Sequence, residues 1–474
     1  MKHKLALAGL LLTSLSLSGC SIVNRIIDSD SEKEKDEEPI EYVDIEGENK
    51  AYTIMIYMCG SDLESGNDGE GHTDVNGAGL ATEDIAEILS VKNKPDDVNI
   101  IIETGGALAW KSTYGIKSNK IGRWHVQKNG TTTSLVNDAQ LDYTTGMGNS
   151  KTFEEFMKWG LSKYPADRTG VILWNHGGAM RGVCYDETNV GNNDPLLASE
   201  IETAVDRAFR SVRRTDKLEW IGYDACLMQV QDIAYKNSKY FNYMVGSEES
   251  EAGEGWEYSS WIDDVYAKKS TDTILTEICT GFISAYDNKY GSSTNDQTLS
   301  YLDLSKMEDY KAAWENLAVE LNKVIPSKDS FQSFMKGCKE YGTVVYKNSY
   351  QLAQAGYDLN PGEEYYYGNY GIVYSGGKYY DYGYNYFAIF DAMSVLNKLD
   401  TTSAYASVKS YVTAAKTAFN NVVKCSETGS LVKDNSFGLC CYFPCHKYCS
   451  KSKYYSSSET NFTSWQSVVN TYGI

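Results

Sequence analysis

The sequence predicts an α/β protein with a mostly parallel central sheet flanked by helices. Uninterrupted apolar runs rich in β-branched residues alternate with segments of helical periodicity, which is typical of parallel strands buried between helices. Hydrophobic residues make up 42% of the 474-residue chain, which supports a large core and excludes global disorder. After about residue 300 helices predominate, so we expect an α+β subdomain at 301–474 packed on a main domain at 51–300.

Each predicted element follows from its local pattern. Apolar runs predict strands at 52–59, 98–102, 169–174, 218–223 and 243–245. Helical spacing of apolar residues predicts helices at 80–89, 153–161, 201–212 and 233–240, and residues 113–127 favour a hairpin. Toward the C-terminus the pattern predicts a strand at 299–304 and helices near 305–324, 387–399 and 403–421.

The N-terminus has the pattern of an export signal at residues 1–19. A basic start precedes the apolar run Leu5–Leu17, which at about 13 residues is shorter than the roughly 20 needed to cross a bilayer. The run ends in Leu-Ser-Gly-Cys20, which resembles the lipobox of bacterial lipoproteins, where the cysteine is lipidated after cleavage. We therefore expect an exported lipoprotein on the outer side of the bacterial cell membrane. The alternative is an ordinary signal peptide in which Cys20 is incidental.

The charge is strongly acidic. Lys and Arg total 44 against 64 Asp and Glu, a net charge of −20, which disfavours binding to nucleic acid or to an anionic membrane surface. Acidic residues crowd residues 20–50, where like charges and few apolar side chains predict a disordered tether between the lipid and the folded domain.

Two predicted strands end in reactive side chains. The strand at 169–174 runs into His176 and Gly177, and the strand at 218–223 runs into Asp224 and Cys226. Sites in open α/β sheets form at the carboxyl ends of strands, and the 50 residues from His176 to Cys226 leave room for a helical crossover between neighbouring strands. The pattern favours a dyad in which the imidazole deprotonates the thiol and then protonates the leaving amine. The backbone N–H groups of Gly177 and Cys226, assisted by a helix expected directly after Cys226, are candidates for an oxyanion hole.

In this order the motifs resemble the clostripain family (peptidase family C11), which is similar in fold to the caspases. The resemblance extends from about residue 50 to 445 and is carried by the segments 52–64, 174–178, 224–228, 245–249, 253–256, 298–306, 437–439 and 442–444. It implies a caspase-like cysteine endopeptidase that cleaves after Arg or Lys through a thioester acyl-enzyme. It also implies that His176 and Cys226 form the catalytic dyad and that Asp224 forms an acidic wall of the S1 pocket, which receives the basic P1 side chain. Glu254 stands where the family usually has Asp, and this longer acid shortens the reach of the pocket.

Several alternatives remain open at this point. A caspase-like peptidase with another P1 preference, such as Asn or Asp, would keep the dyad. A non-catalytic lipoprotein would bind peptide or glycan through the Tyr-rich segment 365–386, although that segment is more simply a compositional habit of a chain with 38 Tyr. Asp224 could instead cap a helix, and Cys184 is a second candidate nucleophile. His72 and His125 are expected to be surface residues.

No metal or other cofactor is expected to be required. The acidic, Gly-rich loop Asp68–Asp74 is a weak candidate for calcium, and a solvated insertion is the favoured interpretation because EF-hand spacing is missing from the sequence. A second cluster lies near the C-terminus: Cys440, Cys441, Cys445, His446 and Cys449. Disulfides or free thiols are favoured over zinc there, because the first two cysteines lie in a predicted strand whose side chains alternate between faces.

Overall fold

A computed structural model describes residues 39–69, 71–188, 195–346, 372–375, 378–381, 386–432, 436–446 and 455–474. Its strands are β1 Lys50–Cys59, β2 Val98–Gly105, β3 Lys120–Asn129, β4 Thr132–Asp142, β5 Ala166–Trp174, β6 Leu218–Asp224, β7 Phe241–Gly246, β8 Thr298–Asp303, β9 Glu340–Tyr341, β10 Val344–Tyr346, β11 Ile372–Ser375, β12 Lys378–Asp381, β13 Ile389–Asp391, β14 Val423–Thr428 and β15 Cys440–Tyr442. Its α-helices are α1 Ser61–Ser65, α2 Leu80–Ser90, α3 Ser150–Lys163, α4 Ala198–Ser211, α5 Gln231–Asn237, α6 Tyr258–Tyr266, α7 Thr271–Tyr290, α8 Met307–Asn322, α9 Lys328–Met335, α10 Ala392–Thr401, α11 Lys409–Val422 and α12 Thr463–Tyr472.

A nine-stranded sheet forms the centre of the molecule, in the order β14-β8-β7-β6-β5-β1-β2-β3-β4. The pairs from β7 to β2 are parallel, whereas β3, β4, β8 and β14 extend both edges in antiparallel fashion. The predicted fold class, α/β with a mostly parallel sheet, is therefore confirmed.

Both faces of the sheet are covered, which explains the unbroken apolar strands. In β1, Met55 and Tyr57 pack into one hydrophobic cluster while Ile54 and Ile56 pack into another. Because side chains alternate along a strand, a strand buried on both faces needs apolar residues at every position. Helices α2, α6 and α7 cover one face, and α3, α4, α5 and the C-terminal helices cover the other.

The C-terminal half is built into the same sheet. The expected boundary at 300/301 falls inside β8, and β14 pairs with β8 to form the sheet's edge. Three shorter strands form a separate small sheet in the order β15-β13-β9. Among the described residues, none of the helices is both long and apolar enough to cross a membrane.

The predictions of the hairpin and of the tether were wrong. The hairpin lies at 120–142, because the turn forms at Gly130 rather than within 113–127. The acidic tether was predicted to extend to residue 50, but Val43 N donates to Ser211 O and Glu46 N donates to Ser162 O, both at 3.0 Å. These bonds attach residues 43–46 to the ends of α3 and α4. Residues 1–38, including Cys20, lie outside the described residues, as does most of the Tyr-rich segment 365–386.

Candidate active site

The strands that carry the two reactive side chains are neighbours. β5 and β6 are parallel, with Trp174 opposite Asp224, and Asn175 N donates to Asp224 O at 3.2 Å. His176 and Cys226 each follow this last paired position by two residues. The sheet thus delivers both residues to the same edge, as the sequence predicts.

The loops after the two strands touch through Gly177. A Cβ at this position would overlap the backbone carbonyl oxygen of Cys226, so only glycine allows the loops to approach so closely. The backbone N–H groups of Gly177 and Cys226 make no hydrogen bond to another residue within the described part of the chain. Both donors are therefore available to a ligand.

The Asn175 side chain holds the His176 loop in place. Its Nδ2 donates to Cys59 O at 2.7 Å and to Ser61 Oγ at 2.8 Å, and its Oδ1 accepts from Tyr185 N at 2.5 Å. These bonds tie the end of β5 to the end of β1 and to the returning chain. The imidazole is consequently carried on a loop whose backbone is fixed on both sides.

Asp62 is a site residue to which sequence reasoning assigned no role. It lies in α1, just beyond the end of β1, and its Oδ1 accepts from His176 Nε2 at 2.8 Å. Burial lowers the pKa of His176, but the charge and hydrogen bond of Asp62 outweigh it and raise that pKa above its ordinary value. The available signal was an acid one turn past the strand next to β5. With Nε2 bound to Asp62, Nδ1 is the ring nitrogen left for proton transfer.

The Cys226 thiol lies in a protected turn. Its Sγ accepts from Glu251 N at 3.2 Å, and the next residue, Leu227, has a left-handed φ of 68°. Burial raises the pKa of Cys226 to about 12, and the nearby carboxyl groups of Glu251 and Glu249 add to the rise. The helix expected directly after Cys226 begins only at Gln231, so its N-terminus does not lie at the thiol. The intervening turn forms because Leu227 N and Gln229 N bond to residues 249 and 247 instead.

Asp224 is a buried carboxyl beneath this turn. Its oxygens accept from Trp256 N at 3.2 Å and Tyr258 Oη at 2.9 Å, which attach the segment 255–258 to the end of β6. Burial raises the pKa of Asp224 to about 7, although these two hydrogen bonds act to lower it. Glu251 lies beside it, buried, with neither carboxyl oxygen in a well-aligned hydrogen bond. Asp224 thus organises the loop that follows β7 and does not cap a helix.

Glu254 lies at the outer end of the same loop. Its Oε1 accepts from Lys289 Nζ at 2.5 Å and from the hydroxyl of Tyr290. Burial raises the pKa of Glu254, but these two hydrogen bonds outweigh it and lower the pKa below its usual value. The side chain is 36% exposed, so it presents an ionised carboxylate that already binds one cationic side chain.

The other candidates have different surroundings. Cys184 is fully buried, and burial, with Asp186, raises its pKa well above the usual range. His125 bonds to Asp138 on the hairpin at 2.8 Å, and His72 is an exposed partner of Asp68 at 2.9 Å.

Among the described residues, neither of the two sequence clusters considered for metal binding brings three of its own candidate ligands together. In the loop 68–74, Asp68 bonds to His72 and Asp74 accepts from Gly77 N, so both carboxylates serve the loop itself. Cys440 Sγ lies 3.3 Å from Glu248 Oε1, and Cys441, the next residue of the same strand, points to the opposite face. Cys449 lies outside the described residues.

Comparison with known proteins gives a consistent picture. A model of the clostripain family matches residues 72–471. Clostripain of Hathewaya histolytica is 24% identical over 377 residues, which cover 70% of this chain and 64% of clostripain, less than two thirds of that relative's length.

Two solved structures share the fold. A secreted C11 cysteine protease of Bacteroides thetaiotaomicron, "iotapain", superimposes with a TM-score of 0.57 at 13% identity, covering 90% of this chain and 98% of that one. An inactive zymogen C11 protease of Parabacteroides distasonis gives a TM-score of 0.53 at 15% identity, covering 90% and 98%. The caspase-like form of the predicted fold is confirmed by these likenesses.

Proposed function

The chain belongs to the clostripain family of cysteine peptidases, and we propose that it hydrolyses peptide bonds with Cys226 as nucleophile and His176 as general acid–base. The observation that carries this proposal is the convergence of the two loops at one sheet edge, with His176 bonded to Asp62 and Gly177 packed on the Cys226 carbonyl. A thiol, a base that can deprotonate it and two available backbone donors are the parts that acyl transfer requires.

The proposed chemistry follows from the upward shifts in the pKa values of Cys226 and His176. The raised pKa of Cys226 keeps the resting thiol protonated, so the thiolate forms only as the imidazole removes the proton during attack on the carbonyl carbon. The raised pKa of His176 makes that imidazole a stronger base, and Asp62 stabilises the imidazolium that results. The imidazolium then protonates the leaving amine as the C–N bond breaks, which leaves a thioester on Cys226. His176 next deprotonates water, which attacks the thioester and restores the thiol.

The backbone N–H groups of Gly177 and Cys226 are proposed to bind the oxyanion of each tetrahedral intermediate. Support comes from their lack of hydrogen-bond partners among the described residues and from their position on the two loops that meet beside the thiol. Removing one such donor typically costs about 10²–10³ in kcat. No metal or other cofactor takes part in these steps. For the calcium candidate at Asp68–Asp74, we favour a solvated loop.

We propose further that the P1 residue is Arg or Lys. Glu254 supplies an ionised carboxylate at the outer end of the loop after β7. Asp224 and Glu251 lie buried next to the nucleophile, where burial raises their pKa and favours the protonated forms, and an arriving cation would favour the ionised ones. The ammonium group of Lys289 already forms an ion pair with the Glu254 carboxylate. A substrate guanidinium or ammonium would take its place, whereas an acidic P1 side chain would meet three carboxyl groups.

Steady-state hydrolysis of peptides that differ only at P1 tests this specificity. We expect Arg and Lys substrates to exceed their neutral isosteres citrulline and norleucine, and Asp and Asn to be cleaved poorly. Lys289→Met should lower KM for basic substrates, because it removes the competing cation, whereas Glu254→Gln should raise it. Cleavage that favours Asn or Asp would instead support the caspase-like alternative. No hydrolysis of any substrate by the folded chain would support a binding protein.

We also propose that the protein is exported and held at the membrane by a lipid on Cys20, with peptides or proteins as its partners and no nucleic acid. The support is the N-terminal pattern of residues 1–20 and the strongly acidic charge. Incorporation of a clickable fatty acid into the wild-type chain, and its loss in Cys20→Ala, tests the anchor. Equal labelling of both chains would refute it.

A further inference from the structure

Three metal-ligating side chains converge outside the peptidase site, against the small sheet. Glu340, Cys445 and His446 each offer one ligand atom, and these atoms lie within 4.8 Å of one another. His446 Nε2 lies 3.0 Å from Glu340 Oε2 across 106 residues of sequence. The acid comes from β9, whereas the thiol and imidazole follow β15, so the fold itself assembles the group.

The surroundings of this cluster are those of a built site. Cys445 is fully buried, and the side chains of Glu340 and His446 are only 19% and 13% exposed. The Tyr386 hydroxyl lies 3.4 Å from Glu340 Oε2 and 4.0 Å from Cys445 Sγ, and its ring meets the His446 ring edge-on at 5.0 Å. Tyr386 therefore orients both ligand side chains from outside the cluster, the role that outer-shell groups play in metal sites.

The mixture of ligands selects the type of ion. A thiolate with an imidazole suits zinc, whereas calcium and magnesium require oxygen ligands throughout. We propose that Glu340, Cys445 and His446 bind one zinc ion, with the fourth position open to water. On binding, the Cys445 thiol gives its proton to solvent and His446 Nε2 exchanges its N–H bond to Glu340 for a bond to the metal. The ring proton then resides on Nδ1.

This site differs from the zinc cluster that the sequence suggested. Cys440 and Cys441 are not part of the group, because side chains of successive residues in a strand point to opposite faces. The third ligand is an acid about a hundred residues upstream, which no cysteine spacing reveals.

The proposed zinc site adjoins the loops that follow β5 and β6. Two residues after Glu340, the Cα of Gly342 is so close to Leu227 that a Cβ would lie 3.0 Å from its Cδ1. Tyr386 O accepts from Arg181 Nη2 at 2.9 Å, in the loop that follows His176. Zinc would therefore join β9 to the chain after β15 and brace both loops. We expect it to raise the temperature of unfolding and to take no part in the chemical steps.

The test uses the chain with Cys226→Ala, so that the dyad cannot supply a thiol ligand. After removal of metal with a chelator, titration with Co²⁺ should give a thiolate-to-cobalt charge-transfer band that saturates at one equivalent and is abolished by Zn²⁺. Glu340→Gln, which keeps the shape of the side chain, should weaken binding at least about tenfold. Cys445→Ser should abolish the band. Cys425→Ser, a partly buried thiol on β14, is the matched control and should leave the band unchanged.

The parent chain is the chain with Cys226→Ala alone. A band that persists when Cys445→Ser is added, or no band in the parent chain, would overturn the proposal. A second measurement avoids substitution of any ligand. Zinc should raise the temperature of unfolding of the metal-stripped parent chain, and a chelator should reverse that rise. A temperature of unfolding that zinc leaves unchanged would also overturn it. Neither readout depends on peptidase activity, so failure here leaves the proposed function untouched.

Discussion

Replacing Asp62 with asparagine tests how the imidazole is tuned. Asp62→Asn keeps an oxygen that accepts from His176 Nε2 and removes the charge 2.8 Å away. At that separation, Coulomb's law gives about 1.5 kcal/mol at the permittivity of water and about 6 kcal/mol at an effective dielectric constant of about 20. Because the His176 side chain is 32% exposed, solvent screening favours the lower part of this range, about 1.5–3 kcal/mol.

The loss of this attraction affects catalysis because it destabilises the imidazolium form of His176. An attraction of about 1.5–3 kcal/mol lost from the charged intermediate lowers kcat/KM about 10- to 150-fold. The substitution also lowers the pKa of His176, since Asp62 is what raises it. In the proposed mechanism neutral imidazole is the base, so the acid limb of the pH profile of kcat/KM should move to lower pH while the plateau falls.

The assay is kcat/KM for one Arg substrate measured from about pH 5 to about pH 9, where a histidine base titrates. Asp138→Asn is the matched control, because Asp138 forms a pair of the same length, 2.8 Å, with His125 on the β3–β4 hairpin. It should leave the position of the acid limb unchanged. A lower plateau in Asp62→Asn without movement of its acid limb would reduce Asp62 to a structural role and refute the tuning argument.

Three further outcomes are expected. Gly177→Ala should abolish hydrolysis, because the added Cβ would overlap the Cys226 carbonyl oxygen. Gly253→Ala is the control and should stay active, because the nearest atom to its added Cβ lies at 3.4 Å. Equal activity of the two variants would show that hydrolysis does not need the close approach of the two loops. Alkylation of Cys226 by iodoacetamide should accelerate steadily as pH rises, because the pKa of its thiol is about 12, and a rate plateau below neutral pH would contradict this. Asp232 is fully buried and its pKa is raised from 3.8 to about 7, so its contribution to stability is complete below about pH 4 and is lost as pH rises through 7, up to about 4 kcal/mol. Urea unfolding of Asp232→Asn should therefore depend less on pH than that of the wild type, and identical pH dependence would count against the shift.

The parallel core of the sheet could be predicted because a strand that is buried on both faces appears in the sequence as an unbroken apolar run. In β1 every position from Tyr52 to Cys59 is buried, and only an unbroken run of largely apolar residues satisfies that. Strand β14 has the opposite character, since most of its residues are only partly buried and it forms the sheet's edge. Its membership depends on pairing with β8, more than a hundred residues away, which local pattern does not encode.

The same limit applies to the site. The convergence of His176 and Cys226 at one sheet edge was predictable because each closely follows a buried strand, and neighbouring parallel strands end at one edge. The role of Asp62 depends on β1 lying next to β5, and that of Glu251 on the loop after β7 folding back to the thiol. Glu340 was missed for the same reason. Each of these contacts is tertiary, and the residues carry no sequence signal beyond being acidic.

Mass spectrometry of the protein after reaction with a peptidyl electrophile bearing Arg at P1 tests the central claim most directly. We predict a single adduct, located on the peptide that contains Cys226, forming much more slowly in His176→Ala and not at all in Cys226→Ala. An adduct on Cys184 or another thiol, or full reactivity without His176, would contradict the assignment of this pair as the catalytic dyad.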